Sequence, residues 1–288
     1  MFENEEGIRQ LLESNYIHYP ELIEGFNRAV AGNTESMVEI AYILRDLHED
    51  EASCYWFEKA AQLGEVVAQY ELANCFLEGR GVAENEERAF ILYKEAAEQG
   101  HLDAANNLAD MYLNGESVEV DEETALKWFT FAADRGAVES MFTLGIMYEQ
   151  GLGTDINEDK ALDYYMLAAE GGYDVAQYRM GSIYLEGLLE VEQDYSKAIT
   201  WFEKAAQQFY VDAIFNLGYL YEQGIAVEQD CQRAVQYYKQ AALLDDYQAK
   251  VNLARLYGSG CCVTKNEEEA KKWMEAAEKQ LHAQVDFM

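Results

Sequence analysis

Few side chains in this 288-residue sequence stand at spacings that could do chemistry. The run Asp155-Ile156-Asn157-Glu158-Asp159 opens like a calcium loop, with oxygen donors at alternate positions. Such a loop needs glycine at its sixth position and a bidentate glutamate at its twelfth. Lys160 and Met166 stand there, so the run is not read as a cation site. Gly79-Arg80-Gly81 and Gly151-Leu152-Gly153 offer glycine pairs. They follow helical segments, whereas a phosphate cradle precedes a helix N-terminus. His18, His48, His101 and His282 are isolated, with no partner at i+4 and no recurring acid or serine beside them. Gly258-Ser259-Gly260 lacks the strand-to-helix setting of a nucleophile elbow. The reading is therefore no catalytic residue, no metal and no cofactor, and not an enzyme. Cys54, Cys75, Cys231, Cys261 and Cys262 are odd in number and follow no period, so they are read as free thiols and not as a disulfide framework.

What does recur is structural. A small residue recurs at Ala60, Ala96, Ala132, Ala168, Ala205, Ala241 and Ala277, each step being 36 residues except one of 37. A second anchor runs in phase with it, at Ser36, Ala68, Ala104, Ser140, Ala176, Ala213 and Ala249. A fixed period of this size means a repeat array. In the copy starting at Ser140, Leu144, Met147 and Tyr148 share its stripe, which predicts a first helix, A, ended by Gly151. A second helix, B, is predicted from about Asp159 to Glu170, with Tyr164, Tyr165, Ala168 and Ala169 on its apolar face. Helix A is expected to stop at Gly79, Gly115, Gly151, Gly187, Gly224 and Gly260. Helix B carries a bulky pair ahead of its alanine, such as Trp128-Phe129 or Trp201-Phe202. Such rings interdigitate with small residues across a helix crossing.

The class that follows is all-α: an α/α solenoid superhelix of seven helix-pair repeats over residues 34–288, preceded by an N-terminal helical cap over residues 1–33. Pro20 stands at a plausible helix start in that cap. Stacking of nearest neighbours predicts an elongated, curved monomer. The formal net charge of −33 disfavours nucleic acid and anionic membrane. It suits either plain solubility or a partner with a basic face. No run approaches the ~18 apolar residues of a membrane span. The start Met1-Phe2-Glu3-Asn4-Glu5-Glu6 has no basic, apolar leader, and the expected location is cytoplasmic.

The pattern A-x-x-x-L-G-x-x-Y-x-x-G, an acidic loop, then A-x-x-W/Y-F/Y-x-x-A-A-x-x-G resembles the Sel-1-like repeat family, a branch of the tetratricopeptide superfamily. Leu144-Gly145-Tyr148, Met180-Gly181-Tyr184 and Leu217-Gly218-Tyr221 carry the helix A signature; Trp128-Phe129-Ala132-Ala133-Gly136 carries that of helix B. The resemblance covers about residues 34–280. It implies a right-handed superhelix with helices A on the concave side, and adaptor work between proteins. It also leaves a bacterial immunity protein that neutralises a basic toxin or nuclease as an alternative. A cysteine-rich branch includes penicillin-binding hydrolases, but the periodic cysteines of that branch are missing here.

On that frame, positions 3, 6 and 10 after the first small residue of helix A should face the groove. Glu71, Asn74 and Glu78 begin the stripe. The candidate protein-binding residues are Asn107, Asp110 and Asn114; Thr143, Ile146 and Gln150; Arg179, Ser182 and Glu186; Asn216, Tyr219 and Gln223; and Asn252 and Arg255. Asparagine amides both donate to and accept from a peptide backbone. Ile146 and Tyr219 are expected to be exposed apolar anchors. The expected partner is a protein or peptide with a basic face.

Overall fold

The periodic small and aromatic residues form sixteen helices in the computed structural model, which describes residues 5–15 and 20–285. The chain start, His18 and the side chain of His282 lie outside the described residues. Among the described residues every regular element is an α-helix.

The chain divides into two units, residues 1–156 and 157–288, with the boundary between the two helices of the fourth repeat. The first unit holds α1 (Glu5–Asn15), α2 (Pro20–Val30), α3 (Thr34–Asp46), α4 (Asp50–Gln62), α5 (Val66–Glu78), α6 (Glu86–Glu98), α7 (Leu102–Asn114), α8 (Glu122–Ala133) and α9 (Val138–Gln150). The second holds α10 (Glu158–Glu170), α11 (Asp174–Glu186), α12 (Tyr195–Gln207), α13 (Val211–Gln223), α14 (Cys231–Leu243), α15 (Tyr247–Ser259) and α16 (Glu267–Val285). The residues expected to cap the array form α1 and α2, and α2 starts at Pro20.

Local sequence sets the helix ends. The six glycines expected to stop helix A are its C-caps, all left-handed, with φ between 65° and 77°. Helix B starts where a short side chain accepts a backbone N–H. Asn85, Asp121, Asn157, Asp194 and Asp230 each accept from the residue three further on, at 2.9–3.0 Å. The calcium-like run thus includes a helix cap, Asn157. His101 is another cap: its Nδ1 accepts from Ala104 N at 3.3 Å while its ring stacks on Tyr70.

Packing within a helix pair turns on one small residue. The second member of each bulky pair is buried: Phe57, Tyr93, Phe129, Tyr165, Phe202 and Tyr238. Its counterpart in the last helix, Met274, is 40 % exposed. Opposite these rings helix A carries alanine or glycine. A Cβ on Gly181 would lie 2.6 Å from the Phe202 ring, and one on Gly218 would lie 2.9 Å from the Tyr238 ring.

Successive repeats meet at a second close contact. The loops after α5, α7, α9 and α15 each meet the first residue of the preceding helix B. A Cβ on Gly81 would lie 2.3 Å from the Asp50 carbonyl oxygen, and one on Gly153 would lie 2.4 Å from that of Glu122. Gly153 N donates to Glu122 Oε2 at 2.8 Å, and Ser117 Oγ donates to Glu86 Oε2 at 3.0 Å. At the same place in the last repeat a disulfide joins Cys231 to Cys262, 31 residues apart. The expectation of five free thiols is corrected here, because the fold brings these two sulfurs together. Cys54, Cys75 and Cys261 are free. Cys54 and Cys75 are buried side by side, and their mutual hydrogen bond, ahead of burial, raises the Cys54 thiol.

Two outcomes follow. Gly181→Ala gains about 1 kcal/mol of helix propensity but overpacks the Phe202 ring, which costs about 1–3 kcal/mol. The net result is a lower Tm in thermal denaturation, and a smaller loss when the change is made beside Phe202→Leu. In a non-reducing peptide map, Cys231 and Cys262 come off as one linked pair. Reduction removes a constraint worth about 2–4 kcal/mol and melts the last repeat first, as read by hydrogen exchange.

Candidate protein-binding surface

The stripe on helices A is held in place by the buried contacts beneath it. In the first unit Asn107, Asp110, Thr143 and Ile146 are half-buried, and Asn114 and Gln150 are exposed. Ile146 is thus less open than expected. Asn106 Nδ2 donates to Asp110 Oδ2 at 3.0 Å, and Ser140 Oγ donates to Asn106 Oδ1 at 2.8 Å. That chain fixes the Asn106 amide and leaves one oxygen of Asp110 without a bond. Burial first, and then the charge of Glu116, push the Asp110 carboxyl up to about 6. Tyr93, pushed up to about 12 chiefly by burial, donates to Asn74 Oδ1 at 2.5 Å and lies in reach of Asn107.

Glu71 departs from the expectation. It is buried instead of facing a groove, and its two oxygens accept from Tyr42 Oη and Arg45 Nη1, each at 2.9 Å. A buried carboxylate needs such partners, since the ion would otherwise lose its solvation without return.

The second unit holds a comparable carboxylate at another helix A position, with partners from the helices that follow. Glu222 is buried and accepts from Tyr238 Oη at 2.9 Å and from Arg255 Nη2 at 2.6 Å. Burial and then Glu222 raise the Tyr238 hydroxyl above the usual tyrosine range. Arg255, expected to face a partner, therefore spends its charge on an internal carboxylate, although it remains exposed. Tyr219 is 47 % exposed. Glu186 and Gln223 are exposed; Arg179, Ser182, Asn216 and Asn252 are half-buried. The Arg179 guanidinium lies 5.5 Å from the centre of the Tyr165 ring. All fourteen candidates reach the surface.

The Sel1 repeat family matches seven times, over residues 41–65, 66–101, 102–136, 138–173, 174–208, 211–246 and 248–280. The chain is a Sel1 repeat protein. The structure is similar to that of a Sel1 repeat protein from Oxalobacter formigenes, at TM-score 0.77 and 27% identity, over 84% of this chain and 99% of that one. A protective antigen of uropathogenic Escherichia coli with the same kind of fold aligns at 29% identity and TM-score 0.48, over 90% of this chain and 64% of that one. An immunity protein of Pseudomonas aeruginosa aligns at 22% identity and TM-score 0.50, over 76% and 82%. No curated protein matches the sequence. Sel1 repeat proteins are generally protein-interaction scaffolds.

In this Sel1 protein the stripe is mostly polar, with Tyr219 as its exposed aromatic residue. Among the described residues no three His, Cys, Asp or Glu side chains converge as metal ligands, and no helix is long and apolar enough to cross a membrane. Sequence reasoning missed Glu222, which lies one position before Gln223 and turns inward. The signal was a glutamate three residues after Tyr219 and opposite the one buried ring, Tyr238, whose hydroxyl meets it.

The raised Asp110 has a measurable consequence. Its charged form is disfavoured in the fold, so its stabilising share is present below the ordinary carboxylate range and is lost as pH rises through about 6. Asp110→Asn should therefore stabilise the first unit at pH 7.5 by about 1 kcal/mol, after discounting for the water-facing side of the carboxyl. At pH 4 the difference should vanish. Chemical denaturation at both values measures it.

Proposed function

We propose that this Sel1 repeat protein is a non-catalytic adaptor that binds a protein partner with a basic face on the stripe formed by its helices A. The single observation carrying the reading is the stripe itself. In each unit it presents amides, carboxylates and a few apolar groups on helices whose opposite face is fixed in the core. Tyr219 supplies an exposed aromatic anchor, and aromatic anchors dominate interface energetics. Glu186 and the unbonded oxygen of Asp110 supply charge contacts, and the −33 chain draws a cationic partner by long-range steering.

The alternative reading, an immunity protein that neutralises a basic toxin or nuclease, draws on the same charge. The likeness to the Pseudomonas immunity protein reaches only the fold. Location is a separate question. The cytoplasmic expectation has the Cys231–Cys262 link against it, because structural disulfides persist mainly in oxidising compartments.

Affinity capture with mass spectrometry supplies the partner, and surface plasmon resonance then tests the mode. Association should slow as salt rises, since exposed charges are screened over about 8 Å at physiological strength. Tyr219→Ala should mainly speed dissociation. Salt-independent association, together with full binding by Ile146→Ala/Tyr219→Ala, would refute the stripe as the site.

A further inference from the structure

The second unit carries a cavity of about 700 Å³ on the side of its helices B, between α12 and α14 and floored by α13. That volume lies in the range of ordinary ligand pockets. Ala206, Ile214, Leu217 and Tyr237 line it. The Tyr237 ring stacks on Tyr221 at 5.7 Å, which holds that wall. Phe209, Leu243 and Leu244 stand at its mouth, 72%, 80% and 40% exposed.

Two of these mouth residues break the repeat where the others keep it. The position of Leu243 is Gln62, Glu98, Asp134, Glu170, Gln207 and Lys279 in the other repeats, polar every time. The position of Phe209 is Gly64, Gly100, Gly136 and Gly172, Asp245 in the next repeat, and Leu281 inside α16 in the last. In the six repeats before α16 that position has a positive φ, 84–98° at the four glycines, 64° at Phe209 and 69° at Asp245. The helix-end bonds Phe209 N to Ala206 O and Tyr210 N to Ala205 O impose this conformation. A bulky residue there is a backbone outlier, and strain of this kind gathers at functional sites. A Cβ at any of the four glycines meets nothing within 4 Å. The place points into solvent, so an aromatic ring gains nothing for the fold by standing there.

The cavity also carries charge. Glu203 lines it, and among the described residues no cation pairs with it. Asp212, at the start of α13, is exposed three residues from Phe209. The nearby lysines are engaged elsewhere: Lys204 lies over the Trp201 ring and Lys250 pairs with Asp245. The site therefore joins an open apolar hollow to an uncompensated carboxylate.

We infer that this cavity is a docking site for an amphipathic basic segment of a partner protein, which inserts an apolar side chain between Phe209 and Leu243 and sets a lysine or arginine against Glu203. The inference rests on the protein-binding reading above but moves an anchor to the helix B side of the second unit. A second copy of this chain is the poorer occupant, since it would bring another −33 charge to the same rim.

The test uses the intact chain and a fluorescent 16-residue helical peptide of leucines and lysines in amphipathic order, followed by anisotropy. Phe209→Gly and Leu243→Ser should each weaken binding at least tenfold. Glu203→Gln should weaken it severalfold and flatten its salt dependence. Phe209→Gly should keep or raise Tm, because glycine accepts the left-handed conformation without cost; lost binding in a fully folded variant is then not a folding defect. Hydrogen exchange should show protection of α12–α14 by the peptide. Binding within twofold of wild type in both Phe209→Gly and Leu243→Ser overturns the inference. So does equal binding of a leucine–glutamate peptide, or no binding at all. So does a concentration-dependent dimer in sedimentation that Leu243→Ser abolishes, which would assign the cavity to a second copy. Peptide binding that survives both changes but falls with Tyr219→Ala sinks the cavity and leaves the stripe standing.

Discussion

Everything in this fold depends on how closely helix A approaches helix B within a pair. The buried ring of helix B sits on the small residue five places into helix A, and no Cβ fits between Gly181 and Phe202 or between Gly218 and Tyr238. Ring and hollow together set the crossing distance, and dense packing at Gly181 and Gly218 leaves no room for even one methyl group. The polar surface is a consequence. A hydroxyl on the same ring reaches a helix A side chain, the stripe residue Asn74 from Tyr93 and the buried Glu222 beside the stripe from Tyr238. Where the ring is phenylalanine, as at Phe129 and Phe202, no such bond is available. The alternation of tyrosine and phenylalanine at one core position thus decides which stripe side chains are held.

A second constraint works between repeats, at the loop seated on the preceding helix B. Gly81 on Asp50, Ser117 on Glu86, Gly153 on Glu122 and Cys262 on Cys231 are one contact made four times in three ways. Two use glycine to let backbones touch, one uses a hydroxyl, and the last uses a covalent bond. The bond ties the start of α14 to the loop after α15, and so fixes the junction between these two repeats covalently where the others rely on close contact or a hydrogen bond.

Most of the fold was legible in the sequence because it is written seven times over. Period, helix count, helix A stops and buried alanines all follow from spacing. The disulfide was not legible from the cysteines themselves, since none recurs with the repeat. It becomes visible only when the loop contact is known, because Cys231 and Cys262 stand at the same 31-residue offset as Glu86 and Ser117. The stripe was legible in direction but not in depth. Helical spacing places Glu71 and Arg255 on one stripe of their helices, yet it cannot tell that a tyrosine from another helix turns one into a buried acceptor and that the other pairs with Glu222.

Periodicity and its breaches carry different information in such a chain. A residue that repeats answers to the packing shared by all repeats, and its type needs no further explanation. A residue that departs from the repeat, and loses stability by doing so, answers to something else. Glu71 departs from the asparagine found at its position in three of the repeats, and it is accounted for internally by Tyr42 and Arg45. Cys231 and Cys262 depart and account for each other. Phe209 and Leu243 depart toward apolar side chains in open solvent, where neither the core nor a cap uses them. Internal packing gives no reason for that pair, and water favours the polar residues found at the Leu243 place and the glycines found at the Phe209 place in most other repeats. The reason has to lie outside the chain, in whatever covers them.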